Sequence, residues 1–171
     1  MKKFIAPLAL AAAFAATPAM AKDFSGPRVE VNAGADDVTG GVDATDIAYG
    51  AALGYDLQFG KVVVGAEATA AFNSFLEKAD LGAAARLGVK ATDNVLVYGR
   101  VGYTNLERPR TCTGTRTLVC VKTPNAEGVT VGGGIETALV GPVFGKVEYR
   151  YTDFDGGLGR HGALVGVGFR F

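Results

Sequence analysis

The stretch HGALVGVGFRF, residues 161–171, alternates along its whole length. Ala163, Val165, Val167, Phe169 and Phe171 are apolar, and between them stand Gly162, Leu164, Gly166, Gly168 and Arg170. A β-strand turns successive side chains to opposite faces, so this spacing predicts one apolar face and one small-or-charged face. The same alternation recurs over residues 28–34, 47–57, 62–72, 80–90, 95–105, 128–138 and 143–154. Eight strands follow, an even number that leaves both chain ends on one side. Short connections come after the second, fourth and sixth strands, around Phe59-Gly60, Thr92-Asp93-Asn94 and Val140-Gly141-Pro142. Longer or more polar ones come after the first, third, fifth and seventh. Pro27, Pro109, Pro124 and Pro142 all fall at strand entrances, loops or turns, where a missing N–H does no harm.

The composition narrows the class. The chain has 171 residues, 49% of them hydrophobic and 20% charged, with 17 Lys+Arg against 17 Asp+Glu. That much apolar content excludes a disordered solvating segment, and the even charge balance argues against a nucleic-acid partner. Its 25 glycines would each weaken a helix interior by up to about 1 kcal/mol. Residues 1–21 read as a secretory signal. Lys2 and Lys3 precede an apolar stretch, and Ala19 and Ala21 supply the small-x-small cleavage pattern. The barrel segment is then 22–171, with 15 basic and 17 acidic residues, a net charge of −2.

An alternating barrel can be soluble, with apolar residues inside, or span a membrane, with apolar residues outside. Three features favour the membrane. The second strand would otherwise give water Ala48, Gly50, Ala52 and Gly54, and the last strand three glycines. The apolar faces of the strand cores carry no Asp, Glu, Lys or Arg; Asp153 and His161 lie at loop ends. Aromatic residues gather near the strand ends on that face: Tyr49, Tyr103, Tyr151 and Phe72 toward the loop side, Tyr55, Phe169 and Phe171 toward the turn side. Such girdles mark the two membrane–water interfaces. The predicted fold is therefore all-β, an eight-stranded antiparallel up-and-down transmembrane β-barrel with short periplasmic turns and longer extracellular loops.

The polar faces then point into a narrow lumen. They carry Arg28, Arg86, Arg100, Lys146, Arg150 and Arg170 with Glu30, Asp56, Glu67, Glu136 and Glu148. These groups are expected to pair with one another, since an unpaired buried charge costs several kcal/mol. Inward glycines leave room for their long side chains. A lumen so filled is read as a structural plug; the other reading is a channel lining.

The segments VEYRYTDF (147–154), LVGVGFRF (164–171), VVVGAEA (62–68) and LVYGRVGYT (96–104) resemble small outer-membrane barrel proteins of the opacity-protein and porin-like family, of alphaproteobacterial type. The resemblance spans the chain beyond the signal. It implies a location in the outer membrane of a Gram-negative bacterium, reached through the periplasm. Val165, Val167, Phe169 and Phe171 are similar to the terminal signal read by the barrel-assembly machinery. Larger relatives carry a peptidoglycan-binding domain, whereas this sequence stops at Phe171, so a cell-wall link is not expected.

At such an address Cys112 and Cys120, both in the longest loop, are expected to form a disulfide; two free thiols are the alternative. One cysteine pair and a distant His161 do not suggest zinc, so no metal and no cofactor is expected. The long loop carries Arg108, Arg110, Arg116 and Lys122 against Glu107 and Glu127, a composition that could meet lipopolysaccharide phosphates. The first loop carries Asp36, Asp37, Asp43 and Asp46, which could meet divalent cations; simple solvation is the alternative for both. Catalysis would need a nucleophile near His161, and the serines beyond the signal are Ser25, at the wrong end, and Ser74. The sequence reading is a non-enzymatic structural and surface protein. It supports the envelope and shows its loops to lipopolysaccharide and to a host or surface ligand, in contact with outer-membrane lipids. The alternative is a narrow porin for small solutes or ions.

Overall fold

The alternating segments pair edge to edge until the last returns to the first. A computed structural model describes residues 23–39, 45–73, 76–106, 111–113, 119–121, 126–154 and 158–171. The strands are β1 (Gly26–Thr39), β2 (Thr45–Phe59), β3 (Val62–Asn73), β4 (Leu76–Lys90), β5 (Val95–Leu106), β6 (Thr111–Thr113), β7 (Val119–Val121), β8 (Ala126–Ala138), β9 (Val143–Phe154) and β10 (Leu158–Arg170). Eight of them close an antiparallel barrel in the order β1-β10-β9-β8-β5-β4-β3-β2. Closure removes every free sheet edge, so the backbone donors and acceptors of the wall are satisfied within it.

The register sets the stagger. Asp37 of β1 lies beside His161, which lies beside Tyr151, Val131, Val101, Ala85, Ala66 and Tyr55 in turn. Tyr55 pairs with Pro27, so the row returns to β1 ten residues from where it began. Eight strands staggered by this much tilt by roughly 35–45° and enclose a space just wide enough for side chains.

The two faces divide as alternation requires. Val31, Leu53, Leu87, Val101, Ile135, Val147 and Val165 point outward and are exposed, whereas Arg28, Asp56, Glu136 and Glu148 are at most 2% exposed. The molecule buries its charges and exposes its aliphatics. The stagger brings Tyr49, Tyr103, Tyr151 and Phe72 to a similar level on the outer face, although they occupy different strand positions. Tyr49 stacks on Phe72 with ring centroids 5.9 Å apart. Asp37, Glu127 and Asp153 face outward just beyond that level, and the Tyr103 hydroxyl donates to Glu127.

Several strands run further toward the loop end than the alternation suggested. β1 reaches Thr39, β4 begins at Leu76 and β10 begins at Leu158. Two expectations are corrected as a result. The connection after the third strand shrinks to residues 74–75, and of the four loop-end connections only 107–125 is long. The acidic first loop is mostly strand: Asp36 and Asp37 belong to β1 and Asp46 to β2, with Asp36 opposite Asp46. Once neighbouring strands supply hydrogen-bond partners, polar residues extend the ladder past the apolar band, which apolar alternation cannot reveal. Within the long connection β6 and β7 form a separate two-stranded sheet, in which Cys112 lies opposite Cys120. The signal residues Ala19 and Ala21, together with Asp43, Ser74, Glu107, Arg108, Arg110, Arg116 and Lys122, lie outside the described residues.

Candidate functional site: the barrel lumen

The lumen is layered from the end where both chain termini lie. Phe24, just ahead of β1, turns into that mouth and is 3% exposed. Its backbone N–H donates to Gln58 Oε1 at 2.8 Å, and its carbonyl accepts from Arg170. The Phe24 ring packs with Val63, Leu96 and Tyr98 in a small apolar cluster. The guanidinium of Arg170 and the ammonium of Lys90 lie over it, 5.5 and 5.8 Å from its centroid. Residues 23–25 thus cork one end with a ring that cations can cover.

Above this cork lies a layer of charge to which all eight barrel strands contribute. Arg28 of β1 reaches Glu30 at 2.8 Å, Asp56 of β2 at 3.1 Å, and Glu67 of β3. Arg86 of β4 bridges Asp56 at 3.1 Å and Glu136 of β8 at 2.9 Å, with its guanidinium 4.6 Å from the Tyr98 ring centre. Arg100 of β5 joins Glu67 at 2.8 Å to Glu148 of β9 at 2.9 Å. Lys146 joins Glu30 at 2.5 Å to Glu148 at 3.1 Å. Arg150 donates to Glu148 at 2.9 Å, and Arg170 of β10 meets Asp56 at 2.8 Å and Glu136 at 2.5 Å. Each carboxylate serves two or more cations, so no charge is desolvated without a partner, the condition under which buried ions are tolerated. Glu148 is the most heavily shared, since the Tyr98 hydroxyl also donates to it at 2.6 Å.

Next come threonines. Thr130 and Thr152 are hydrogen-bonded to each other at 2.9 Å, and Thr69 and Thr104 face the same space. Above them a clasp crosses the outer mouth. Arg160 of β10 bonds Asp80 of β4 at 2.9 Å and lies 3.8 Å from Asp36 of β1, with its guanidinium 5.1 Å from the Phe154 ring centre. Thr104 also donates to Asp80. Between clasp and charge layer lies a polar cavity of about 40 Å³.

The eleven lumen charges named from sequence all enter the one connected layer. Sequence reasoning did not join Asp80 and Arg160 across the mouth, and it missed Tyr98 as a donor and Phe24 as a cork. Carrying the alternation of the last strand one residue further back would have turned Arg160 inward. Of the candidate catalytic residues, Ser25 and His161 do not meet: Ser25 Oγ accepts from the Gln58 N–H at 2.9 Å at the corked end. His161 lies on the outer face near the opposite rim, its Nδ1 2.6 Å from the Tyr149 hydroxyl.

Glycine supplies the room these side chains need. A Cβ added at Gly65 would lie 1.9 Å from Asp56 Oδ1, whereas one at outward Gly99 meets nothing closer than 3.8 Å. Gly65→Ala must push Asp56 away from Arg86, and its expected cost is about 1–3 kcal/mol of overpacking. Urea titration of refolded protein should show a lowered midpoint for Gly65→Ala and almost none for Gly99→Ala. Equal midpoints would refute the tight fit.

Comparison with known proteins agrees with this architecture. The family described as outer membrane protein beta-barrel domain matches residues 6–171. The 25 kDa outer-membrane immunogenic protein of Brucella ovis is 29% identical over 141 residues, covering 77% of this chain and 67% of that protein. Among solved structures, Neisserial surface protein A has a TM-score of 0.62 at 16% identity, covering 86% of this chain and 98% of its own. Ail of Yersinia pestis also has a TM-score of 0.62, at 14% identity, covering 86% and 99%. Ail has in addition been solved with the heparin analogue sucrose octasulfate. With its apolar wall turned outward, its charges turned inward and its whole barrel inside the matched region, the chain belongs to the outer membrane protein beta-barrel family and resides in the cell outer membrane.

Proposed function

We propose that the protein is a structural and surface component of the outer membrane whose lumen is a plug rather than a passage. The observation that carries this reading is the charge layer. Six cations and five carboxylates from eight strands tie the wall across its own interior, and the cork at Phe24 and the Arg160 clasp narrow the two mouths. Removing a signal over residues 1–21, with cleavage after Ala21, would free the 22–171 barrel. Val165, Val167, Phe169 and Phe171 would present its last strand to the assembly machinery. Tyr49, Tyr55, Phe72, Tyr103, Tyr151 and Phe169 would anchor it at the two interfaces.

The end remote from the termini would then face outward, toward lipopolysaccharide. The 107–125 connection, the longest at that end, would be the segment offered to an external ligand. The register that sets Cys112 opposite Cys120 supports a disulfide stiffening it. Its Arg108, Arg110, Arg116 and Lys122 suit a polyanionic surface partner, the chemistry of the sulfated ligand seen on Ail.

Planar-bilayer recording on refolded protein tests the plug. The wild type should show no discrete conductance steps, and Arg100→Gln with Glu148→Gln should lower stability without opening a pathway. Reproducible unitary steps in the wild type, altered in size or selectivity by that double variant, would establish the narrow porin instead.

A further inference from the structure

Seven of the eight pairings in the barrel wall join strands that follow one another along the wall's chain order, and one does not. That one is the seam between β1 and β10, where Arg28 lies opposite Arg170 and Val31 opposite Val167. No turn joins these two strands, so closing them carries the largest loop-closure cost in the wall. A frayed seam likewise has no short tether to bring its edges back.

Residues 23–25 are placed across this seam by Gly26. Its φ of 109° favours glycine, and an added Cβ would lie 2.1 Å from the Phe171 carbonyl oxygen at the end of β10. The bend turns the chain off β1 and into the lumen, where the segment grips both neighbours of β1. On the β10 side the Phe24 carbonyl accepts from Arg170, and next to it the Pro27 carbonyl accepts from the Phe171 N–H at 2.9 Å. On the β2 side the Phe24 N–H donates to Gln58 Oε1 at 2.8 Å, and Ser25 Oγ accepts from the Gln58 N–H at 2.9 Å. The ring packs with Val63 of β3 and with Leu96 and Tyr98 of β5. A side chain that merely filled the mouth would need only those ring contacts. The backbone bonds to β10 and β2 instead bracket β1 from both sides. They also impose an order: Phe24 and Arg170 are 146 positions apart, and Arg170 comes within reach only when β10 lies beside β1.

We propose that residues 23–25, hinged at Gly26, are a latch on the barrel seam. They dock after β10 has closed against β1 and set how readily that pairing reopens. The buried ring holds the segment in place, so its loss releases the backbone bonds as well. The latch acts whether or not the lumen conducts.

Hydrogen–deuterium exchange on the refolded barrel in detergent micelles supplies the test, comparing the wild type with Phe24→Ala, a chain lacking residues 23–25, and Leu96→Ala. Leu96 belongs to the same apolar cluster but stands on β5, away from the seam. In both latch variants the amides of residues 28–32 and 166–170 should exchange about tenfold faster, while those of 81–85 and 101–105 on the opposite wall keep their rates. Leu96→Ala should leave the seam amides as they are in the wild type. Seam rates unchanged in Phe24→Ala, or rates raised equally around the whole barrel, would overturn the latch and leave Phe24 a filler of the mouth. Equal acceleration of the seam by Leu96→Ala would do the same. Where the shortened chain lacks heat-modifiable gel mobility and so has not folded, Phe24→Ala decides alone.

Discussion

Glu148→Ala is expected to remove about 3–5 kcal/mol of stability, the range found when one partner of a buried ion pair is deleted. The carboxylate has no exposed side-chain surface and holds Arg100, Lys146 and Arg150 within 3.1 Å. Its removal does not affect these three equally. Arg100 retains Glu67 and Lys146 retains Glu30, but Arg150 keeps no carboxylate among the described residues. Tyr98 loses the acceptor of its buried hydroxyl as well. The measurement is a urea titration followed by heat-modifiable gel mobility, in which folded and unfolded barrels separate. Replacing both partners, as Arg100→Met with Glu148→Leu, should cost less than the two single changes together, because fewer charges are left buried alone. A Glu148→Ala midpoint equal to that of the wild type would mean that the layer contributes nothing to the barrel's cohesion.

Leu53→Arg should cost about 2–4 kcal/mol in a bilayer, as expected for a cation placed near the midplane of a barrel's lipid-facing wall. Leu53 is 65% exposed, so on a water-soluble barrel the same change would pass almost unnoticed. The contrast isolates the solvent rather than the contact. Asp37→Arg, on the same outer face but beyond the aromatic level, provides the comparison and should have a small effect. Both variants are to be refolded into phospholipid vesicles and titrated with urea. Equal midpoints for the two would contradict a membrane-facing wall at Leu53.

Much of this molecule could be read directly. The segment HGALVGVGFRF displays its two faces in its spelling, and so does VVVGAEATAAF (62–72), where Glu67 alone breaks a run of small and aliphatic residues. Both signals are local, because side-chain direction in a strand depends only on whether a position is odd or even. The strand ends were less legible. Nothing in the stretch around Asp36 or Arg160 is apolar enough to mark it as wall, yet both belong to the ladder and face the lumen. Phe24 carried no signal for its role, since a lone aromatic ahead of a strand could equally lie on the surface.

Which carboxylate meets which cation was not written locally at all. Arg28 and Glu67 are 39 positions apart, and Arg160 and Asp80 are 80 apart. Their meeting depends on the ten-residue stagger of the closed barrel, a property of all eight registers together. The sequence by itself determined the strands, their two faces, the outward turn of the apolar residues and the set of charges confined within. Only the tertiary structure decided the pairings, the cork, the clasp and the small cavity between clasp and charge layer. Alternation is a property of each strand, whereas the height at which a side chain enters the lumen exists only once the last strand has closed against the first.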